Sequence, residues 1–259
     1  MLHNSPKRGS VFLMDLSVSK VDCYKNCPRL YYYRYIKKPI FVENKHWVVG
    51  NITHKILELY HQQYVYNHDV YKSLQFSLQN GLSTDYTRKF LDNKTIKKSD
   101  IKTIAAMIKD YITNYGKNKN VTECEKSFKI SLTSDIHVIG KIDRVDKEEN
   151  IIRVVDYKTS KNLGTLKEYL ANSVQLQTYG IWAKETYPEY EIICQYVFLK
   201  HTPRGILDFW ITEDMLEECR DVYIEVANKI DANQFQQNKS YTWCRTCEYS
   251  EICKEEKNV

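Results

Sequence analysis

The sequence predicts an α/β fold, on two observations. Apolar residues recur at three- and four-residue steps before about residue 117 and again after residue 165, the spacing of amphipathic helices. Between and beyond these stretches lie short segments that alternate or run apolar over strand length. The chain has 259 residues, 42% hydrophobic and 13% aromatic, with only 8 Gly and 5 Pro. That is enough apolar material for a core and too little Gly and Pro for long linkers. One domain over residues 1–259 is expected, with residues 66–122 as a helical insertion.

In chain order, Leu16-Ser17-Val18-Ser19 reads as a capped helix start, followed to residue 37 by one helix or two short ones. Gly50 opens a stronger helix, with Ile52, Ile56, Leu59, Tyr60 and Tyr64 on one stripe and His54, Glu58 and His61 on another. Leu74, Phe76, Leu78, Ile104, Ile108, Tyr111 and Ile112 continue the helical pattern through the insertion, which carries no chemical signature. From about 125 the period changes to two: Phe128, Ile130 and Leu132, then Ile136, Val138 and Ile142, and Ile151 to Lys158 after a turn-like stretch from Asp146 to Asn150. These are antiparallel strands joined by a hairpin. A helix over 165–186, strands over 192–200 and 206–212, and a helix over 213–231 complete an α/β core flanked by helices.

Charge decides little, because a net +5 permits a polyanionic partner without requiring one. The apolar run Val11 to Met14 ends at Asp15, well short of the roughly 7 to 15 apolar residues of a secretory segment. No export or membrane segment is therefore expected. The setting implied is a reducing one, cytoplasmic or nucleoid-associated, in which eight cysteines are better explained by metal ligation than by disulfides. Cys23, Cys124, Cys194 and Cys219 stand alone and read as buried thiols.

The catalytic signal is Gly140-Lys141-Ile142-Asp143 on one strand and Asp156-Tyr157-Lys158 at the end of the next. Strand alternation puts Asp156 and Lys158 on one face. With the turn centred between Glu148 and Glu149, Asp143 lies diagonally opposite Asp156, where such neighbours come within roughly 7 to 8 Å. Two convergent carboxylates repel unless a cation lies between them, and a hard divalent ion such as Mg²⁺ or Mn²⁺ is the natural occupant. Such an ion polarises a phosphoryl oxygen and activates water, with a lysine to orient that water or steady developing charge. On its own, Asp-x-Lys is equally well an ordinary ion pair at a strand end.

In its order of motifs the sequence resembles the RecB-like branch of the PD-(D/E)XK nucleases, over about two-thirds of its length. The resemblance implies a restriction-endonuclease-like core with a mixed sheet flanked by helices. It also implies a metal-binding histidine in Gly-x-x-x-His, matched by Gly50 and His54, and metal ligation by Asp143, Asp156 and the carbonyl of Tyr157. Lys158 is the implied catalytic lysine. A Gln-x-x-x-Tyr helix is matched by Gln175 and Tyr179, which share a helix face. Glu58 and His61 do not fit a zinc-protease spacing and read as surface groups.

Cys244-x-x-Cys247-x₅-Cys253 offers three thiolates in ten residues, one short of a complete site. Cys27, in Cys27-Pro28-Arg29, is the candidate for the fourth, with Cys23 as the alternative. The element resembles that of the iron-sulfur members of this family, CRISPR-associated RecB-like exonucleases and AddB-type domains. It implies a [4Fe-4S] cluster joining the 240–259 segment to Cys27 across a loop on the order of 200 residues. Zinc is the competing occupant, since thiolates suit both.

Arg29, Arg34, Lys37 and Lys38 interleave with Tyr31 to Tyr35, and Lys94, Lys97 and Lys98 lie in the insertion. They offer phosphate contacts and stacking faces of the kind single strands use, although inward-packed tyrosines with solvated basic groups would read the same. The expected activity is Mg²⁺- or Mn²⁺-dependent exonucleolytic cleavage of DNA, favouring single-stranded ends, in recombination, repair or CRISPR adaptation. The alternative is a DNA-binding or scaffolding module of a larger complex with little catalysis of its own.

Overall fold

The computed structural model describes residues 13–37, 44–118, 120–160, 163, 173–239, 244–245 and 247–256. Six strands pair in the order β1 (Met14–Leu16), β3 (Ile136–Glu148), β4 (Ile151–Lys158), β5 (Glu191–Phe198), β6 (Ile206–Trp210), with β2 (Val121–Ser131) on β3 off that path, so the fold is a mixed α/β sheet flanked by helices. The chain divides into two compact units. One comprises Met1–Phe41, Lys129–Gly140 and Glu217–Val259; the other comprises Val42–Phe128 and Lys141–Leu216.

The first unit begins with β1 (Met14–Leu16), parallel to the start of β3 (Ile136–Glu148). The sequence at Leu16 is therefore strand, and the helix α1 (Val18–Asn26) starts after it, capped by the Ser17 hydroxyl as its position suggests. Extended backbone at Cys27 ends α1, and Pro28 starts α2 (Pro28–Tyr31), since proline suits the first helical turn. A π-helical turn, Tyr32–Ile36, follows.

Part of the aromatic and basic stretch packs inward. Tyr31, Tyr33 and Arg29 are buried. Tyr31 lies parallel to Phe235 at 6.3 Å and Tyr33 stacks on Tyr249 at 5.4 Å. Arg34 pairs with Glu248 at 2.8 Å, Tyr33 donates to Glu256 at 2.8 Å, and Lys37 pairs with Glu256. A chain rich in tyrosine uses these rings as core, with the Tyr33 hydroxyl finding its partner at the edge. Lys38 lies outside the described residues. The unit also holds the short C-terminal helix Ser250–Glu255.

The second unit opens with α3 (Lys45–Asn67), which starts five residues before Gly50 because Asn44 caps it, its Oδ1 accepting from Trp47 N–H at 3.1 Å. α4 (Val70–Leu82), α5 (Asp85–Asp92) and α6 (Lys98–Asn114) follow. The stripe Val48, Ile52, Ile56, Tyr60 and Tyr64 of α3 packs with Leu74, Phe90, Ile104 and Ile108, and with Val155, Tyr157 and Val197 from the sheet. Gly81 permits the close approach of α4 to α3, since a Cβ there would stand 2.4 Å from Ile56 Cγ1 and 3.3 Å from its Cα.

β2 (Val121–Ser131) leads into β3, and β4 (Ile151–Lys158) runs antiparallel to β3. β5 (Glu191–Phe198) lies parallel to β4, with Asp156 beside Tyr196 and Lys158 beside Phe198. A parallel neighbour needs a crossover, in which the described helix is α7 (Val174–Thr186). The portion of the expected helix over 165–172 lies outside the described residues. β4 and β5 are apolar and buried on both faces through their middles, as central strands are. β6 (Ile206–Trp210) pairs antiparallel to β5, and α8 (Glu213–Asp231) follows. No helix among the described residues is long and apolar enough to cross a membrane.

The register of the β3–β4 hairpin differs from the sequence reading. Arg144 pairs with Val155 and Glu148 with Ile151, so the turn centres on Glu149-Asn150. Glu149 takes a left-handed φ of 34°, the twist a two-residue hairpin loop requires. One more step along this register sets Asp143 directly opposite Asp156, closer than the diagonal placement expected.

Candidate metal centre

The hairpin, α3 and α7 converge in the second unit. Asp143 of β3 accepts from the Tyr157 backbone N–H at 2.7 Å through Oδ2, and its Oδ1 lies 3.1 Å from His54 Nδ1. His54 Nε2 donates to the Tyr157 carbonyl at 2.9 Å. Burial opposes charge on His54, but Asp143, with Asp156 and Glu125 beyond it, outweighs that and lifts the imidazole to about 9. The ring thus bridges two oxygens, each a potential metal ligand. Gly50, one turn earlier, faces Thr159, with ordinary contact distance left for a Cβ.

Asp156 is almost wholly buried. Its Oδ1 accepts from Gln175 Nε2 at 2.7 Å and from the Tyr179 hydroxyl at 3.3 Å, while the Lys158 ammonium lies 2.7 Å from Oδ2. Desolvation and the charge of Asp143 raise the Asp156 pKa, against the pull of Lys158. Lys158 also donates to Gln175 Oε1 at 2.6 Å and sits 4.9 Å from the centre of the Tyr196 ring. Burial disfavours its charge, yet Asp156 more than offsets this and keeps it an ammonium. Tyr179 donates to the Lys141 carbonyl at 3.0 Å, tying α7 to β3. Ser173 positions Gln175 by capping α7, its Oγ accepting from Leu176 N–H.

The structure therefore brings His54, Asp143, Asp156, Tyr157, Lys158, Gln175 and Tyr179 into one site. It adds Glu125 of β2, whose carboxylate lies with the His54 and Asp143 ligand atoms, all within 4.8 Å of one another. No motif flags Glu125; its position depends on how β2 passes β3. The donor set is oxygen-rich with one imidazole, which suits Mg²⁺ or Mn²⁺.

His61 is a correction to the sequence reading, because it is buried and not at the surface. Its Nε2 lies 3.0 Å from Arg144 Nη1 and accepts from the Tyr157 hydroxyl at 2.8 Å. Burial and the Arg144 charge hold its pKa well below the ordinary value, so the ring is neutral. Arg144 also donates to the hydroxyls of Tyr157 and Tyr111 and pairs with the fully buried Asp146. Tyr157 thus presents its backbone to His54 and Asp143 while its phenol is anchored in a buried network. Glu58 is partly shielded, with Lys55 at 2.8 Å.

In the first unit, Cys27, Cys244, Cys247 and Cys253 line one cavity of about 190 Å³, with Arg29 and Arg34 also in its wall. Asn238 N–H reaches Cys27 Sγ at 3.5 Å and Cys244 Sγ reaches the Asn238 carbonyl at 3.4 Å. All eight cysteines are free thiols. Cys23 is buried, and burial pushes its thiol up to about 11, as expected for an inert cysteine. Four thiols thus line one cavity together with two guanidiniums.

A mixed sheet brings an acidic hairpin and a lysine against a histidine-bearing helix, an arrangement of donor atoms open to a divalent cation. The sequence model of the PD-(D/E)XK nuclease superfamily matches residues 15–254, and the chain belongs to that superfamily. No curated protein matches the chain. Among solved structures, the crystal structure of SSO0001 is 19% identical, covers 84% of this chain and 89% of its own, and superposes with a TM-score of 0.37.

Proposed function

We propose that the chain is a RecB-like deoxyribonuclease that removes nucleotides from DNA ends, single strands preferred, with Mg²⁺ or Mn²⁺ at the hairpin site. The observation that supports this most is the convergence of Asp143, Asp156, the Tyr157 carbonyl and His54 within reach of Lys158. Asp143, Asp156, His54 and the Tyr157 carbonyl would hold the cation, with His54 giving up the proton on its coordinating nitrogen. When bound, the cation supplies a water of lowered pKa and polarises a phosphoryl oxygen. Lys158 Nζ, fixed by Asp156 and Gln175, donates to the attacking water or to the developing negative charge. Gln175 and Tyr179 hold Asp156 Oδ1, so the carboxylate keeps its orientation when a substrate enters.

The four cysteines are proposed to hold a structural [4Fe-4S] cluster that fastens the Cys27 turn to the C-terminal segment, a role in which zinc is the competitor. DNA end processing in recombination, repair or CRISPR adaptation is the corresponding setting. Digestion of end-labelled single- and double-stranded DNA with Mn²⁺, Mg²⁺ or chelator tests the activity. Metal-dependent release of the terminal label, faster from single strands, is expected; tight DNA binding with no cleavage under any metal would overturn it.

A further inference from the structure

We infer that Glu125 is a ligand of the divalent cation, completing with His54 and Asp143 a seat that the Asp-x-Lys motif does not contain; this rests on the metal-dependent reading above. The three ligand atoms lie within 4.8 Å of one another. Bonds of about 2.0–2.1 Å to Mg²⁺ or slightly longer ones to Mn²⁺ span ligand atoms up to roughly 4.2 Å apart, so a small side-chain adjustment closes the set.

The partners of each oxygen point the same way. Glu125 Oε2 is held by Lys141 at 2.7 Å, whereas Oε1 is buried without a hydrogen-bond partner. A buried carboxylate oxygen left bare is costly, and a cation or its water beside Oε1 removes the cost. Asp156 differs in its surroundings. Its Oδ1 is taken by Gln175 and Tyr179, and its Oδ2, which also accepts no hydrogen bond, lies 2.7 Å from the Lys158 ammonium, so the more open coordination lies on the Glu125 side of Asp143. That side faces a cavity of about 480 Å³, to which Asn51, Lys55 and Glu58 also contribute. β2 loses its alternating burial between Glu123 and Lys126, and Glu125 itself has a φ of 52°, a break in the strand of the kind that re-aims a side chain.

The experiment is calorimetric titration of Mn²⁺ into the metal-depleted full chain, without DNA, for the native protein, Glu125→Gln, Glu125→Asp and Asp143→Asn. Native protein and Asp143→Asn establish whether the hairpin site binds Mn²⁺ at all. Glu125→Gln is expected to weaken Mn²⁺ by at least about 10-fold, the lower end of what loss of a supporting group costs. Glu125→Asp keeps the charge but withdraws it by one methylene, and is expected to lose binding as well, because ligation requires contact. Native-like affinity in Glu125→Gln, or full affinity in Glu125→Asp beside a weakened Glu125→Gln, would overturn the inference while leaving the metal site in place. A native protein that takes up no Mn²⁺ would overturn the metal-dependent reading itself.

Discussion

Replacing Asp146 by Asn tests whether the buried network behind Tyr157 supports the second unit. Asp146 is 0% exposed and Arg144 4%. Arg144 Nη2 donates to Oδ2 at 2.9 Å, Nε stands 2.9 Å from Oδ1, and Asn118 donates to Oδ2 at 2.6 Å. Asn is close in shape, so no cavity opens; the change removes the one negative charge that Arg144 faces directly. Its other partners, His61 and the phenols of Tyr111 and Tyr157, are neutral. Stranding one member of a buried ion pair costs about 3–5 kcal/mol, a large part of the ~5–15 kcal/mol available to a folded domain. At roughly 2–4 °C per kcal/mol for a domain of this size, the unfolding temperature should fall by about 6–20 °C. Thermal and urea unfolding followed by circular dichroism read the change. A loss under about 1 kcal/mol, the scale of a solvated pair, would refute the claim that this network is dry. Replacing both charges, Arg144→Met with Asp146→Leu, should recover part of the loss, because no buried charge is then left unpaired.

His61 sets a pH dependence. Its folded pKa lies well below its unfolded value near 6.5, so below about pH 6.5 the unfolded chain binds a proton that the folded chain refuses, and stability falls with pH by up to about 1.4 kcal/mol per unit. The difference in stability between native protein and His61→Gln should therefore shrink as pH drops from about 6.5 to about 5.5; an unchanged difference would refute a buried neutral imidazole. Cys253→Ser should remove the broad visible absorption expected of freshly purified native protein and lower its unfolding temperature. A colourless native preparation carrying stoichiometric zinc would assign the cysteines to zinc instead.

Much of the fold was legible because period-two and period-3.6 patterns survive wherever one face is buried. The apolar runs of β4 and β5 and the span of α8 are cases in which burial alone dictates the residues. The stretch Tyr31 to Tyr35 stayed open to two readings for a physical reason: a tyrosine is as suited to a core with its hydroxyl at the edge as to a stacking surface, and partners such as Glu248 and Glu256, more than 200 residues away, are not visible along the chain. The hairpin register was displaced because a left-handed Glu149 carries no sequence signal, whereas glycine would have. Asp143, Asp156, Lys158 and His54 could be found along the chain because motif order and strand alternation bring them near one another. Glu125 and His61 could not: one depends on an irregular strand, the other on a buried arginine that a polar helix stripe gives no hint of.

The most direct test of the account is cleavage by Lys158→Ala, with Mn²⁺ and DNA affinities measured on the same preparation. The account predicts a fall in cleavage rate of about 10² or more, in line with removal of one preorganised donor, while Mn²⁺ and single-stranded DNA still bind. Native-like cleavage by the variant would contradict it and place the chemistry elsewhere.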